Sequence, residues 1–365
     1  MRKVIFLCLT VFGVLFAACS SNDDTWGDWS KASEFGGKPR TGAVTFKIGE
    51  TVFVGLGYNS STENKSDKAL RDFWKFENGG WSQVDSFPGE GRYAGVAFVI
   101  GNKAYVGTGF IPQDVQNSKK WFKDFYECEY VNGKLTWSKT PIAEYPGGGI
   151  CDAVAFSLNG VGYVGTGSTA DGDIVKDFYS YTPASGCNRI EGFPGDSRRG
   201  AVAMTFNDNK EAVICLGART QSGGYVTDVV RFNPNNTPMW KLGEPLVDRD
   251  GQDFDDDYNK IPRVYAVSFT STLDNNVELG YVATGAGAYS RTCWEYNFNE
   301  DRWREVTELI GVIASRVQGV GFSVSGYGYI GLGSAGVQVS ATAGSYYKDL
   351  WKFTPGIEED DYNDY

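Results

Sequence analysis

The chain has 365 residues, and its 45 Asp and Glu against 34 Lys and Arg give a net charge of −11, which argues against nucleic acid or an anionic membrane surface as a partner. It contains no histidine, so imidazole-dependent catalysis, including Ser-His-Asp and Cys-His arrangements, is excluded. Its 47 glycines and 15% aromatic residues are typical of an all-β protein with many tight turns.

The N-terminus predicts export. Two basic residues precede an apolar run at 4–18, which is too short for a permanent membrane span and indicates a signal peptide at 1–18. The small residues before Cys19 resemble the cleavage box of bacterial lipoproteins, which implies a lipid on Cys19. The acidic segment 22–24 resembles that of Bacteroidetes-type surface lipoproteins. The resemblance implies a lipidated tether at 19–25 and an outer-membrane lipoprotein, facing the cell surface or the periplasm.

One pattern recurs about every 50 residues along the rest of the chain. Its clearest copy, 92–146, has four short runs of β-branched and aromatic residues separated by Gly, Asn and Pro, which predicts four antiparallel strands. The second run ends in small residues, as at 106–109, where backbones must crowd together. The copies begin at Arg40, Arg92, Ile150, Arg198, Arg263 and Arg316. Six such copies predict a six-bladed β-propeller, and the motifs resemble those of the kelch class.

The two ends of the chain predict how the ring closes. The sixth copy stops at Pro355 without a fourth strand, whereas 29–36 resembles the fourth strand of the first copy at 81–89. We therefore expect the N-terminal strand to complete the last blade and to cover its edge. The propeller is predicted to span 26–355, and 356–365 is predicted to be an acidic, solvated tail.

No metal or cofactor is predicted. Five cysteines follow the tether, and most fall at interior strand positions, so buried thiols are favoured over a disulfide framework: Cys128, Cys151, Cys187, Cys215 and Cys293. The acidic insertion at 248–259 lacks the closing Glu of a calcium loop. Galactose oxidase shares the kelch fold, but its copper is held partly by histidines, so that activity is excluded here.

The candidate ligand-binding residues are the arginines that begin five of the six copies: Arg40, Arg92, Arg198, Arg263 and Arg316. Equivalent positions converge around a propeller axis, so we expect these residues at one mouth of the channel. Guanidinium groups there would suit a ligand carboxylate, as the kelch resemblance also implies. The alternative is that each arginine bonds to backbone carbonyls or to the Lys/Arg-Asp pair of a neighbouring blade and only fastens the ring.

Two functions follow, and sequence leaves both open. The first is a binding protein for a carbohydrate, an acidic glycan or small molecule, or a peptide on the arginine-bearing face. The second is an isomerase, because N-acetylneuraminate epimerase is likewise an exported six-bladed kelch propeller that this chain resembles and needs no cofactor. A structural partner in a membrane assembly is a third possibility. The loops at 59–69 and 110–121 are expected, by the kelch resemblance, on the opposite face.

Overall fold

The structure, a computed structural model, describes residues 26–116, 119–249, 257–272, 277–309, 311, 316–336 and 345–356. The predicted signal peptide and the tether with Cys19 lie outside these residues. So do 357–365 of the predicted tail and 250–256 of the acidic insertion. In the part of the chain that is described, no helix is long and apolar enough to cross a membrane.

The described residues are almost entirely β-structure. A short helix, α1 (Gln113–Gln116), and two 3-10 turns (Lys65–Asp67 and Tyr258–Lys260) accompany the strands. The strands are β1 (Asp28–Lys31), β2 (Val44–Ile48), β3 (Thr51–Gly55), β4 (Phe73–Glu77), β5 (Gly80–Val84), β6 (Val96–Ile100), β7 (Lys103–Gly107), β8 (Phe110–Ile111), β9 (Lys120–Trp121), β10 (Asp124–Val131), β11 (Lys134–Trp137), β12 (Ala143–Glu144), β13 (Ile150–Cys151), β14 (Val154–Leu158), β15 (Val161–Gly165), β16 (Ser168–Thr169), β17 (Phe178–Thr182), β18 (Gly186–Ile190), β19 (Val202–Phe206), β20 (Glu211–Cys215), β21 (Ala218–Thr220), β22 (Gly223–Tyr225), β23 (Val230–Phe232), β24 (Trp240–Leu242), β25 (Val267–Thr272), β26 (Glu278–Ala283), β27 (Cys293–Asn297), β28 (Arg302–Val306), β29 (Val320–Val324), β30 (Tyr327–Gly331) and β31 (Leu350–Thr354).

Six antiparallel sheets form the blades; each has four main strands, and in blade 2 the short strand β12 also pairs with β10. They are blade 1 (β2 to β5), blade 2 (β6, β7, β10, β11), blade 3 (β14, β15, β17, β18), blade 4 (β19, β20, β23, β24), blade 5 (β25 to β28) and blade 6 (β29, β30, β31, β1). The first strand of each blade contacts the first strands of both neighbouring blades, so these six strands surround the axis. The predicted all-β, six-bladed propeller is therefore confirmed.

The core lies between the blades. One hydrophobic cluster joins Phe46 and Phe53 of blade 1 to Val106 and Leu135 of blade 2, and equivalent clusters occupy the other five interfaces. Second strands such as β3 are buried throughout because blades pack on both of their faces. Gly55 ends β3 directly beneath the ring of Phe73, where an added Cβ would lie 2.3 Å from a ring carbon. The small residue is thus required by the packing.

The N-terminal strand is the outer strand of the last blade. β1 pairs antiparallel with β31 from Asp28 opposite Thr354 to Lys31 opposite Trp351. Trp29 is buried and packs on the ring of Phe353, with centroids 4.8 Å apart. The first blade and the last are joined by this strand, and β31 has no free edge.

Strand direction defines two faces of the ring. We call the edge where the first strands begin the arginine face, and the edge where they turn into the second strands the hairpin face. Because β31 runs towards the hairpin face and β1 starts opposite its end, the described chain both enters and leaves at the hairpin face.

Candidate functional site

Two rings of backbone hydrogen bonds close the propeller at the arginine face. In the first ring, the glycine that follows each second strand donates to the carbonyl of the first residue of the next copy, over 2.7 to 2.9 Å. The second ring is formed by the third residue of each copy. Its backbone N–H donates to the carbonyl of the third residue of the preceding copy around the ring, over 2.9 to 3.1 Å. The members of the second ring all have left-handed φ values: Gly42, Ala94, Asp152, Gly200, Tyr265 and Gln318.

The five predicted arginines lie within the blades. Each is at most 1% exposed. Four of them pair with the aspartate that begins the third strand of the same blade, as Arg40–Asp72, Arg92–Asp124, Arg198–Asp228 and Arg316–Asp349. Burial opposes ionisation of the Asp72 and Asp349 carboxyls, but their hydrogen bonds and charge interactions with arginine outweigh it and lower their pKa values.

The fifth arginine has no such carboxylate. The Arg263 guanidinium donates to the carbonyl and hydroxyl of Thr292, at 2.9 and 2.6 Å, and burial lowers its pKa to about 10. In blade 3, where Ile150 replaces the arginine, Asp177 instead pairs with the exposed Arg189. These contacts include the backbone carbonyls expected for the fastening role. The expectation that the partner aspartate belongs to a neighbouring blade was wrong, because the third strand of the same blade begins next to the arginine. Ligand binding by the five arginines stays a prediction.

Side chains of the second backbone ring meet over the axis. The Gln318 side-chain amide of blade 6 donates to Asp152 Oδ1 at 3.1 Å, and blade 3, which carries Asp152, lies across the ring. The Tyr265 hydroxyl donates to Asp152 Oδ2 at 2.9 Å. Arg199 Nη1 lies 3.8 Å from Asp152 Oδ2 and donates to the Tyr265 hydroxyl. We call these four residues the axial cluster; it spans the channel at the arginine face.

Asp152 is the titratable centre of this cluster. Its side chain is 8% exposed, and burial raises the pKa of the carboxyl to about 6 although Arg199, Gln318 and Cys151 favour the ionised form. Burial, together with the Asp152 charge, also raises the pKa of the Tyr93 phenol well above its usual value. A carboxyl with this pKa both accepts and donates protons near neutral pH.

Aromatic residues form a wall beside the axial cluster. The rings of Phe110 and Trp121 stack 4.9 Å apart, and Phe110 lies 4.6 Å from Tyr93. Tyr58 contacts Tyr93 and Tyr346. We call these five residues the aromatic wall.

The loops that carry the aromatic wall lie on the arginine face. Thr41 forms a β-bridge with Tyr58, and Tyr93 forms one with Phe110, so the loops at 59–69 and 110–121 begin beside the start of the first strands. The expectation that they lie on the opposite face was wrong. The reason is topological, because the second strand of each blade runs back towards the edge at which the first strand begins.

Below the axial cluster the channel widens towards the hairpin face. A cavity of about 230 Å³ lined by alanine and glycine beside the first strands leads into one of about 860 Å³. The larger cavity is lined by residues such as Thr45, Ser157, Thr205 and Ser323 and ends at the hairpin turns. The axial cluster thus separates this lumen from the arginine face.

Neither cysteine nor acidic residues form a metal site in the described part of the chain. All five cysteines after the tether are free thiols, four buried and Cys187 partly exposed, as the interior positions predicted. No group of three or more Cys, Asp or Glu among the described residues is placed to hold a metal ion.

Sequence reasoning missed the axial cluster, although a signal for it exists. Asp152, Tyr265 and Gln318 each lie two residues after the first position of their copies. The first position is arginine in five copies, whereas the third differs in almost every one. A repeat position whose residue type changes from copy to copy, close to a position that stays arginine, is typical of a functional site built on a regular scaffold.

Comparison with known proteins identifies the fold. No protein-family model matches the sequence, and no curated protein sequence matches it. The chain is similar to the solved structure of YjhT with a TM-score of 0.63 and 15% sequence identity, over 91% of this chain and 98% of that one. At this identity the likeness concerns the fold alone. The chain is a six-bladed β-propeller.

Proposed function

We propose that the arginine face binds a carbohydrate between the axial cluster and the aromatic wall. The observation that carries this proposal is the convergence of Asp152, Arg199, Tyr265 and Gln318 on the axis beside the five aromatic side chains. Sites for small molecules combine aromatic surface with a few convergent polar groups. Sugar rings have an apolar face and a rim of hydroxyls, so such a surface fits both.

The balance of charged side chains at the arginine face favours a ligand that is neutral or carries one acidic group. The predicted arginines are compensated inside the blades, and the Arg199 charge is balanced by Asp152 at 3.8 Å. Protonation of Asp152 would leave the Arg199 charge unbalanced. An acidic glycan is therefore expected to bind more tightly below about pH 6 than above it.

Glycan-array screening followed by calorimetry tests the proposal. Asp152→Asn and Tyr265→Phe should each weaken binding of a selected neutral glycan about tenfold, because each removes a charged or hydroxyl partner from a buried site. Asp208→Asn is the matched control, since the Asp208 side chain is 95% exposed at the hairpin face. Equal affinity in all four proteins would place the glycan elsewhere and refute the proposal.

A second candidate is cofactor-independent sugar mutarotation, which the raised pKa of Asp152 favours. Opening a hemiacetal ring requires loss of the anomeric hydroxyl proton and protonation of the ring oxygen. Asp152 could take the first proton, and the Tyr265 hydroxyl, which Arg199 contacts, could supply the second. Reclosure reverses both transfers and leaves the enzyme unchanged.

Proton NMR of freshly dissolved α-anomers, including sialic acid, measures this activity. An acceleration that is lost in Asp152→Asn and rises with pH around 6 would support it. An anomerisation rate that the wild-type protein leaves unchanged removes this candidate while leaving sugar binding intact.

We also propose that a lipid on Cys19 holds the chain at the outer membrane. Six residues between Cys19 and the first described residue reach at most about 20 Å when extended. Because β1 begins at the hairpin face, this anchor would turn the arginine face away from the lipid surface. Mass spectrometry of the protein from its membrane fraction should find the lipid, and Cys19→Ala should release the protein. A membrane-bound Cys19→Ala protein would contradict the anchor.

A further inference from the structure

The third strands of the blades contain an internal comparison. In blades 1 and 6, a tryptophan two residues after the paired aspartate caps it: Trp74 Nε1 donates to Asp72 Oδ2, and Trp351 Nε1 donates to Asp349 Oδ2, both at 2.7 Å. Each of these carboxylates therefore accepts from both an arginine and an indole.

Blade 2 lacks this cap. Tyr126 stands where blades 1 and 6 have tryptophan, and the Asp124 side chain accepts hydrogen bonds from Arg92 alone among the described residues. The Tyr126 hydroxyl has no hydrogen-bond partner within the described part of the chain. The Asp124 side chain is 21% exposed, so its remaining lone pairs are accessible. Acceptor and hydroxyl are thus both left open in the same blade.

Asp124 and Tyr126 line a cavity. A space of about 630 Å³ between blades 1 and 2 is lined by Arg92, Asp124 and Tyr126, with Ile111 and Val115 as apolar lining. We call it the blade 1–2 pocket. Ligand pockets generally measure about 300 to 1,000 Å³, so a monosaccharide fits within it.

The pocket also contains a positively charged side chain. The exposed Arg71 also lines it, and its guanidinium makes no ion pair or hydrogen bond with the described residues. The other acid on the lining, Glu90, is paired with Lys120. The pocket therefore offers one uncompensated guanidinium, one carboxylate with free lone pairs, and one free hydroxyl.

We infer that the blade 1–2 pocket binds a sugar acid, a site distinct from the axial cluster. The ligand carboxylate pairs with Arg71, whose planar fork matches two carboxylate oxygens. Ligand hydroxyls donate to Asp124 and bond to the Tyr126 hydroxyl, while Ile111 and Val115 cover the apolar face of the ring. The inference goes beyond the proposed function, because it concerns different residues and a specified ligand charge.

Tyr126→Trp tests the inference with a residue that the chain itself uses at this place in blades 1, 5 and 6. The indole should donate to Asp124 as in blades 1 and 6 and fill the pocket, with the fold retained. Calorimetric titration with D-glucuronate, and with D-glucose as the neutral comparison, should show that the wild-type protein prefers the acid. Tyr126→Trp should abolish this binding, and Arg71→Gln should weaken it about tenfold or more.

Two controls accompany this test. Asp208→Asn, at an exposed position outside both sites, should leave glucuronate affinity unchanged, and a circular dichroism melt should show that Tyr126→Trp is folded. Glucuronate binding that survives in folded Tyr126→Trp, or that is lost only in Asp152→Asn, would overturn the inference. So would a wild-type protein that does not bind glucuronate, or that binds glucose equally well.

Discussion

Asp152 makes a measurable contribution to how stability changes with pH. Its ordinary pKa of 3.8 applies to the unfolded chain, and burial in the axial cluster raises the value to about 6. Between these values the folded protein binds a proton that the unfolded chain has lost. The free energy of unfolding must therefore fall as pH rises from about 4 to about 6.

The size of this fall follows from the shift in pKa. About two units correspond to about 3 kcal/mol of stability lost by pH 7. Asp152→Asn keeps a side-chain oxygen to accept from Gln318 but cannot ionise. The variant should resemble the wild-type protein below about pH 3, where Asp152 is protonated in both states, and should exceed it by about 3 kcal/mol at pH 7.

Urea unfolding followed by tryptophan fluorescence measures both proteins at a series of pH values. Asp208→Asn serves as the control, because its 95% exposed carboxylate should not alter the pH dependence. The difference between the wild-type protein and Asp152→Asn is the decisive quantity, since other titrating groups cancel in it. Parallel stability curves across this range would refute the account of a buried, proton-binding carboxyl at the axis.

Three further predictions concern the scaffold. Arg316→Ala should lower the free energy of unfolding in urea by about 3 to 5 kcal/mol, because it leaves Asp349 without its buried partner. Arg189→Ala removes an exposed ion pair and should lower it by under about 1 kcal/mol. Equal losses in the two variants would contradict the fastening role. Removing 26–31 should expose the edge of β31 and cause association, visible by gel filtration, and a stable monomer would count against closure by β1. Thiol labelling of the native protein should reach Cys187 before the buried cysteines, and uniform labelling would contradict their burial.

Sequence predicted the architecture because the information is local and repeated. Period-two runs specify strands, Gly and Asn specify the turns, and six copies specify six blades. The resemblance between 29–36 and 81–89 also predicted which strand is missing from the last copy. Each inference needed only residues close together in the chain, or a comparison of copies.

The direction of the arginine side chains needed tertiary structure. Sequence placed five arginines at equivalent positions and left two roles open. Whether a guanidinium points to the axis or into its blade depends on acceptors at the start of the third strand, about 30 residues further on, such as Asp72 and Asp349. Blade 5, with Thr292 in that place, shows that the arginine stays buried even without the carboxylate.

The sequence by itself determined the number of blades, their strand order and the strand that closes the ring, because short-range patterning and repetition encode them. Only the tertiary structure decided which side chains meet at the axis. Asp152 lies 113 residues from Tyr265 and 166 from Gln318, and the three differ in residue type although they occupy the same place of the repeat. They meet because closing the ring brings the same position of different copies within hydrogen-bonding distance.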